Sequence, residues 1–374
     1  MAISSLLRRG VEVVSDFQSK QPSQSQPTFH LAGWLSAFFV FTVLAFIGIL
    51  FSVEYTYGLL IPTLAAVEDT NPDIYVRIDT DFDPNKPVDV ADPEVEGIRP
   101  QPITNKLCTT IRHLRARAGP WSRFRGLAMY LTLNFSSLVV GSLLPFRSMA
   151  QGSYLTTYTS QFILFLVLGV LMANLELAWV HIVISEPSPK RFYQRIGGFQ
   201  TWKKIVPVTI FRHGVAFGSA YLSSFILLSA FGVPDFDSAP ESDGPPEVAV
   251  LRAVQQVLLL FVVVPALISF VVSIPARAIY YRVAASMLPE EDEAIVPFDR
   301  SYGGKVQPAI LGGSGRLSIS DAWKSLDRPA LVRFTKALFK AQAIEAGVTV
   351  FFSLLITGQI LAGAVTYGFA GDNA

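Results

Sequence analysis

LAGWLSAFFVFTVLAFIGILFSV, residues 31–53, contains no charged side chain. A helix rises about 1.5 Å per residue, so roughly 20 such residues cross the ~30 Å hydrocarbon core of a bilayer. Inside lipid no water is available to satisfy backbone N–H and C=O groups, so a segment of this kind must be helical. Trp34 stands near its start, where an indole suits the membrane–water boundary. This stretch reads as a membrane span, and it sets the frame for the rest of the chain.

Five further segments fit the same template. Residues 127–146 again carry no charge. Residues 161–185 are interrupted by Asn174, Glu176 and His181. Residues 205–234 hold Arg212 and His213 near their start. Residues 253–276 follow Arg252 and contain Gln255 and Gln256; residues 346–371 form the last span. The expected fold class is therefore an all-α integral membrane protein with six transmembrane helices. A polar segment, 1–28, precedes the membrane domain, 29–374. An acidic, Pro-rich insert, 68–102, reads as irregular, and 277–339 reads as a long loop.

Composition agrees. Of 374 residues, 51% are hydrophobic and 16% charged, against roughly 25% charged in soluble domains. A net charge of +1 gives no basic face for nucleic acid. The single cysteine, Cys108, excludes a disulfide framework and a Cys-based metal site. The four histidines, His30, His113, His181 and His213, include no HxxxH pair, so no metal and no cofactor is expected. The first 28 residues lack the apolar core of a cleaved signal peptide, and Glu12 and Asp16 do not suit a transit peptide.

The loops alternate in charge. Those after spans one, three and five hold Arg112, Arg115, Arg117, Lys190, Arg191, Arg195, Arg277, Arg282 and Lys305 among others. Those after spans two and four are short or acidic. Basic loops stay on the cytosolic or matrix side, so the odd loops are expected there and both termini opposite.

A threefold repeat runs through this pattern. Each odd span ends at or just before a proline: Pro62, Pro187 or Pro275. A basic loop follows, then an aromatic-plus-basic entry into the even span. The entries are PWSRFRGLAMYL at 120–131, TWKKIVPVTIFR at 201–212 and AWKSLDRPALVRF at 322–334. Three units of span, basic loop with a short helix, and span resemble the mitochondrial carrier family. PARAIYYRV, with Pro275 and Arg282, looks like that family's odd-helix motif. Phe124, Arg125 and Gly126 are similar to its aromatic-basic-glycine step, and the segments led by Trp202 and Trp323 look like looser versions. The resemblance implies a pseudo-threefold six-helix bundle, a mitochondrial membrane and a small solute as cargo. The family's gate charges are missing, however. The acid positions hold Leu64, Pro189 and Arg277, and the base positions hold Val67, Phe192 and Tyr280. The three prolines are accounted for by kinks or helix stops alone. Trp121, Trp202 and Trp323 are expected as interfacial anchors.

A charge inside a span is costly and is a functional candidate by default. Glu176 is the sharpest case, either a solute or proton site or an interhelical ion pair, and no polar neighbour shares its helix face. Asn174 and His181 lie seven apart on one face. Arg212 and His213 lie close to a basic loop, from which long side chains reach the interface. Arg252 and Gln256 are one turn apart and would line one cavity. Asp79, Asp81, Asp83 and Asn85 alternate like the start of a calcium loop, but the glycine and closing glutamate are absent, so they read as a solvated acidic loop. The acidic run at 290–293 reads the same way. No nucleophile triad, P-loop or dinucleotide fingerprint is present.

The expected function is that of a carrier-like membrane protein with the lipid bilayer as its first partner. It either moves a small solute or, with the gate charges missing, scaffolds and recruits protein partners through its loops. A membrane-embedded enzyme acting on a lipid or isoprenoid, with Glu176 as acid or base, is the alternative class. A secretory-pathway membrane is the alternative location.

Overall fold

The computed structural model describes residues 33–69, 102–144, 154–231, 262–306 and 312–371. The expectations placed on Arg252, Gln255, Gln256, the N-terminal segment and Asp79–Asn85 lie outside these residues. The described chain is helical, without a strand, apart from one isolated bridge between Ser185 and Ala294. Six helices are long and apolar enough to cross a membrane: Trp34–Val67, Pro120–Leu143, Thr159–Ile184, Phe199–Leu227, Val264–Ser286 and Arg328–Ile360. The all-α, six-span membrane fold read from the sequence therefore stands.

The first span is α1 (Gly33–Val53), a π-helical stretch over Glu54–Leu60, and α2 (Ile61–Val67), joined without a break. Pro62 does not end it. A proline ring would clash with the carbonyl four residues back, and the wider π turn just before it relieves that clash. Next come α3 (Leu107–Ala118), α4 (Leu127–Leu143) and α5 (Tyr154–Ile184). They are followed by α6 (Phe199–Phe231), α7 (Val264–Ser286), the short α8 (Ile319–Lys324) and α9 (Arg328–Gly371). Each odd loop holds a short helical piece: α3, a 3₁₀ turn at Phe192–Arg195, and α8.

The first span runs on to Val67, past the expected end at 53, and two further boundaries differ from expectation. Pro275 sits inside α7, which continues to Ser286, so of the three odd-span prolines only Pro187 lies outside a helix. The sixth helix begins at Arg328 rather than near residue 346, which removes its first turns from the loop assigned to 277–339. Its early charges mask the start, because hydropathy marks where a helix enters lipid and not where it begins. Asp327 precedes it and Pro329 stands in its first turn, a position proline tolerates.

The described chain divides into two compact units. One is built from Gly126–Asp327. Within it α6 packs between α5 and α7, and α4 lies on α5. The Ser269 hydroxyl of α7 donates to the Ala216 carbonyl of α6 at 2.6 Å, and Phe165 stacks on Phe217 at 5.0 Å. Gly126 opens α4 at φ 76°, and a Cβ there would lie 3.3 Å from the Trp179 ring, so glycine is required both by backbone and by space. At the loop end of this unit the acidic run 290–293 is not simply solvated. Asp292 is buried 3.7 Å from Arg195, Glu291 pairs with Lys190 at 2.9 Å, and the Glu186 N–H donates to the Glu293 carbonyl at 2.7 Å. Arg282, also buried, donates to the carbonyl and hydroxyl of Ser325 at the C-terminus of α8. A guanidinium there satisfies carbonyls that a helix leaves free.

Beside these pairs, Asp299 closes a turn. Partial burial opposes its ionisation, yet the Gly303 N–H and the Ser301 hydroxyl and N–H outweigh it, and the carboxyl is held below the usual carboxylate range. A depressed acid stabilises its fold above its unfolded value of about 3.9 and loses that contribution as pH falls through the lower folded value. Amide exchange at Gly303, corrected for intrinsic rates, is expected to speed up when the pH drops from 6 to below 3.

The other unit comprises Arg9–Arg125 and Arg328–Ala374. Its frame is the antiparallel pairing of the first span with α9. The Gln359 amide donates to Thr42 at 2.7 Å, Phe46 meets Phe352 at 5.2 Å, and Arg333 reaches Glu68. Tyr55 lies between Phe51 and Phe124, and its hydroxyl donates to the Arg125 carbonyl. The aromatic-basic step thus anchors the second loop entry by packing and a backbone carbonyl.

Candidate functional site

The unit built on α4–α8 holds a charged cluster within its membrane helices. Glu176 projects from α5, Arg212 and His213 from α6, and Tyr280, Tyr281 and Arg277 from one face of α7, at spacings of three and four residues. Arg212 grips Glu176 with both terminal nitrogens. One reaches Oε2 at 2.7 Å, the other Oε1. The two side chains are only 13% and 16% exposed, so the pair is largely shielded. A bidentate fork of this kind is the strongest hydrogen-bonded ion pair a protein makes. The guanidinium also lies 4.2 Å from the centre of the Tyr280 ring, a cation–π contact that adds a third helix to the joint.

His213 is adjacent. Its Nε2 accepts from Arg212, which requires a neutral ring there and places the N–H on Nδ1. It also lies 4.0 Å from Glu176 Oε2. The ring fits because residue 169 of α5 has no side chain: a Cβ at Gly169 would stand 2.2 Å from His213 Nδ1. Gly169→Ala is expected to force the imidazole out of the cluster and to cost about 1–3 kcal/mol, the usual range for overpacking. Thermal unfolding in detergent measures the loss, and His213→Ala in the same background should restore most of it.

Tyr280 is fully buried, with its hydroxyl facing the Glu176 carboxylate. Arg277 is half-buried and lies 5.5 Å from the Phe270 ring centre, within electrostatic reach of Arg212 and Glu176. No acid among the described residues pairs with it. With Glu176 matched by Arg212, the cluster keeps one positive charge.

The structure therefore brings together three of the residues singled out from the sequence: Glu176, Arg212 and His213. Arg212 and His213 turn inward instead of reaching for the interface, because an acid awaits them on the neighbouring helix. Asn174 and His181 are placed elsewhere. The Asn174 amide donates to the Gly197 carbonyl before α6, and buried His181 hydrogen-bonds the Ala284 carbonyl of α7 at 2.9 Å. Trp202 donates its indole N–H to the Val170 carbonyl at 2.9 Å, tying α6 to α5, while Trp121 and Trp323 stay exposed. Tyr280 and Arg277 are the residues that sequence reasoning missed. They occupy the base and acid positions after Pro275, and that very spacing points them at one face of α7.

Compared with known proteins, the sequence matches no family model and no curated protein.

Proposed function

We propose that this multi-pass membrane protein is a carrier-like scaffold that recruits partners through its basic loops and does not exchange solutes. The observation that carries the reading is the closed Arg212–Glu176 fork. An exchange site must trade protein contacts for solute contacts, and both carboxylate oxygens here are already held. The uncharged or unmatched gate positions, Leu64, Val67, Pro189, Phe192, Arg277 and Tyr280, point the same way. The fork also counts against the membrane-embedded enzyme, since a carboxylate locked to a guanidinium is a poor general acid. The resemblance to mitochondrial carriers supports a mitochondrial membrane. Fluorescent tagging is expected to give that pattern, and exclusive reticular signal would end the assignment.

A second reading is favoured by one observation, the unmatched charge of Arg277. A cation on a membrane helix that forms no ion pair among the described residues suits an anionic solute. Reconstituted vesicles separate the two. The scaffold reading predicts no saturable uptake of small carboxylates or phosphates. Saturable uptake that Arg277→Gln abolishes would replace it with transport.

A further inference from the structure

We infer that the groove between α6, α7 and residues 316–323 binds a single-chain amphiphile with an anionic head, of the long-chain fatty acid type. This inference is independent of the role proposed above and of the Glu176 cluster. The groove is a cavity of about 790 Å³. Its walls are Val208, Phe211 and Val215 of α6 and Ile279 and Val283 of α7. One proline from each helix, Pro207 and Pro275, also faces it, and neither has an N–H to offer. The interior thus presents hydrocarbon and almost no donors, which suits an acyl chain and excludes a polar solute.

The one cation on the lining is Arg316, at the loop end. One of its nitrogens donates to the Lys204 carbonyl, and no acid among the described residues pairs with it. Asp321, the nearest acid along the lining segment, is held by the Ser318 hydroxyl at 2.6 Å. Ser318 and Ser320 hydrogen-bond each other at 3.0 Å. The charged donors at this end therefore belong to a guanidinium, whose fork matches a carboxylate. Trp323, half exposed on the same lining, is a side chain suited to the membrane boundary. Size selects among amphiphiles. The volume falls within the roughly 300–1,000 Å³ of one small-ligand site, a size suited to a single acyl chain. Both walls are membrane helices with exposed apolar residues such as Ile210 and Leu267, so such a ligand enters sideways from the lipid.

The test uses the full chain in nanodiscs with a diazirine-bearing palmitate, its attachment sites mapped by mass spectrometry. Labelling is expected at 207–215, 275–283 and 316–323. Excess palmitate should compete and excess hexadecanol, the same chain without charge, should not. Arg316→Gln should lower labelling about tenfold, the equivalent of one charge-assisted hydrogen bond. Because Arg316 also holds Lys204, Val215→Trp is the second variant. Val215 is a partly exposed lining residue eleven positions along α6 from Lys204, so the indole occupies the groove away from Arg316 and should abolish labelling while the melting temperature stays within a few degrees. Labelling spread evenly over all lipid-facing helices, equal competition by hexadecanol, or indifference to both variants would overturn the inference.

Discussion

Replacing Glu176 with glutamine is expected to destabilise the α5–α6–α7 unit by about 3–5 kcal/mol, the range measured when one partner of a buried ion pair is removed. The cost arises from what remains. Arg212 keeps its charge in a shielded site, Tyr280 offers only its ring face, and His213 cannot accept more than one of its N–H groups. Arg212→Gln should cost a similar amount by stranding the carboxylate. The decisive variant is the pair Glu176→Leu with Arg212→Met, which removes both charges and keeps most of the volume. It should be markedly more stable than either single variant, because apolar replacement of a whole buried pair is often neutral. A double-mutant cycle on thermal unfolding in detergent reads the coupling directly. Additive effects would mean that the two groups do not meet.

Glu68→Ala is expected to have the second large effect. Glu68 is fully buried at the end of α2. Its carboxylate accepts from the Ile103 N–H at 2.6 Å, the Thr104 N–H at 2.9 Å and the Thr104 hydroxyl. Arg333 of α9 lies 3.9 Å away and also donates to the Glu68 carbonyl at 2.6 Å. One side chain thus joins the first span, the start of the α3 segment and the sixth helix. Removing it strands two amides and leaves the buried Arg333 charge with backbone carbonyls but no carboxylate, again about 3–5 kcal/mol. The local sign is proteolytic. Trypsin should cut after Lys106 faster in Glu68→Ala than in the wild type, since the 102–106 segment loses its anchor. Equal cutting rates would show that the segment is held by something else.

These two sites show what the chain discloses and what it withholds. The six spans were legible because lipid leaves few solutions: apolar length and the absence of charge identify them one at a time. Their ends were less so. Pro62 and Pro275 look like stops, but a π turn absorbs the first and α7 carries the second internally. Glu176 stood out as a lone acid in an apolar run. Arg212 stood out too, but their pairing did not, since the two are 36 residues apart and only the antiparallel register of α5 and α6 aligns them. Glu68 heads an acidic, Pro-rich insert that reads as irregular. Its burial depends on Arg333, 265 residues away, and no local pattern records that. Asp292 was hidden for the same reason, by the company of exposed acids.

The central claim is that the chain crosses a membrane six times, and cysteine labelling in sealed vesicles tests it most directly. Cys108 is the sole cysteine and is exposed in the first loop. In a Cys108→Ser background, single cysteines replace Ser188 and Ser314 in the other odd loops, and Ser148 and Ser238 in the even ones. An impermeant maleimide is predicted to label Cys108 and the variants at 188 and 314 from one side, and those at 148 and 238 only from the other. Labelling of an odd-loop and an even-loop position from the same side would contradict the six-span account.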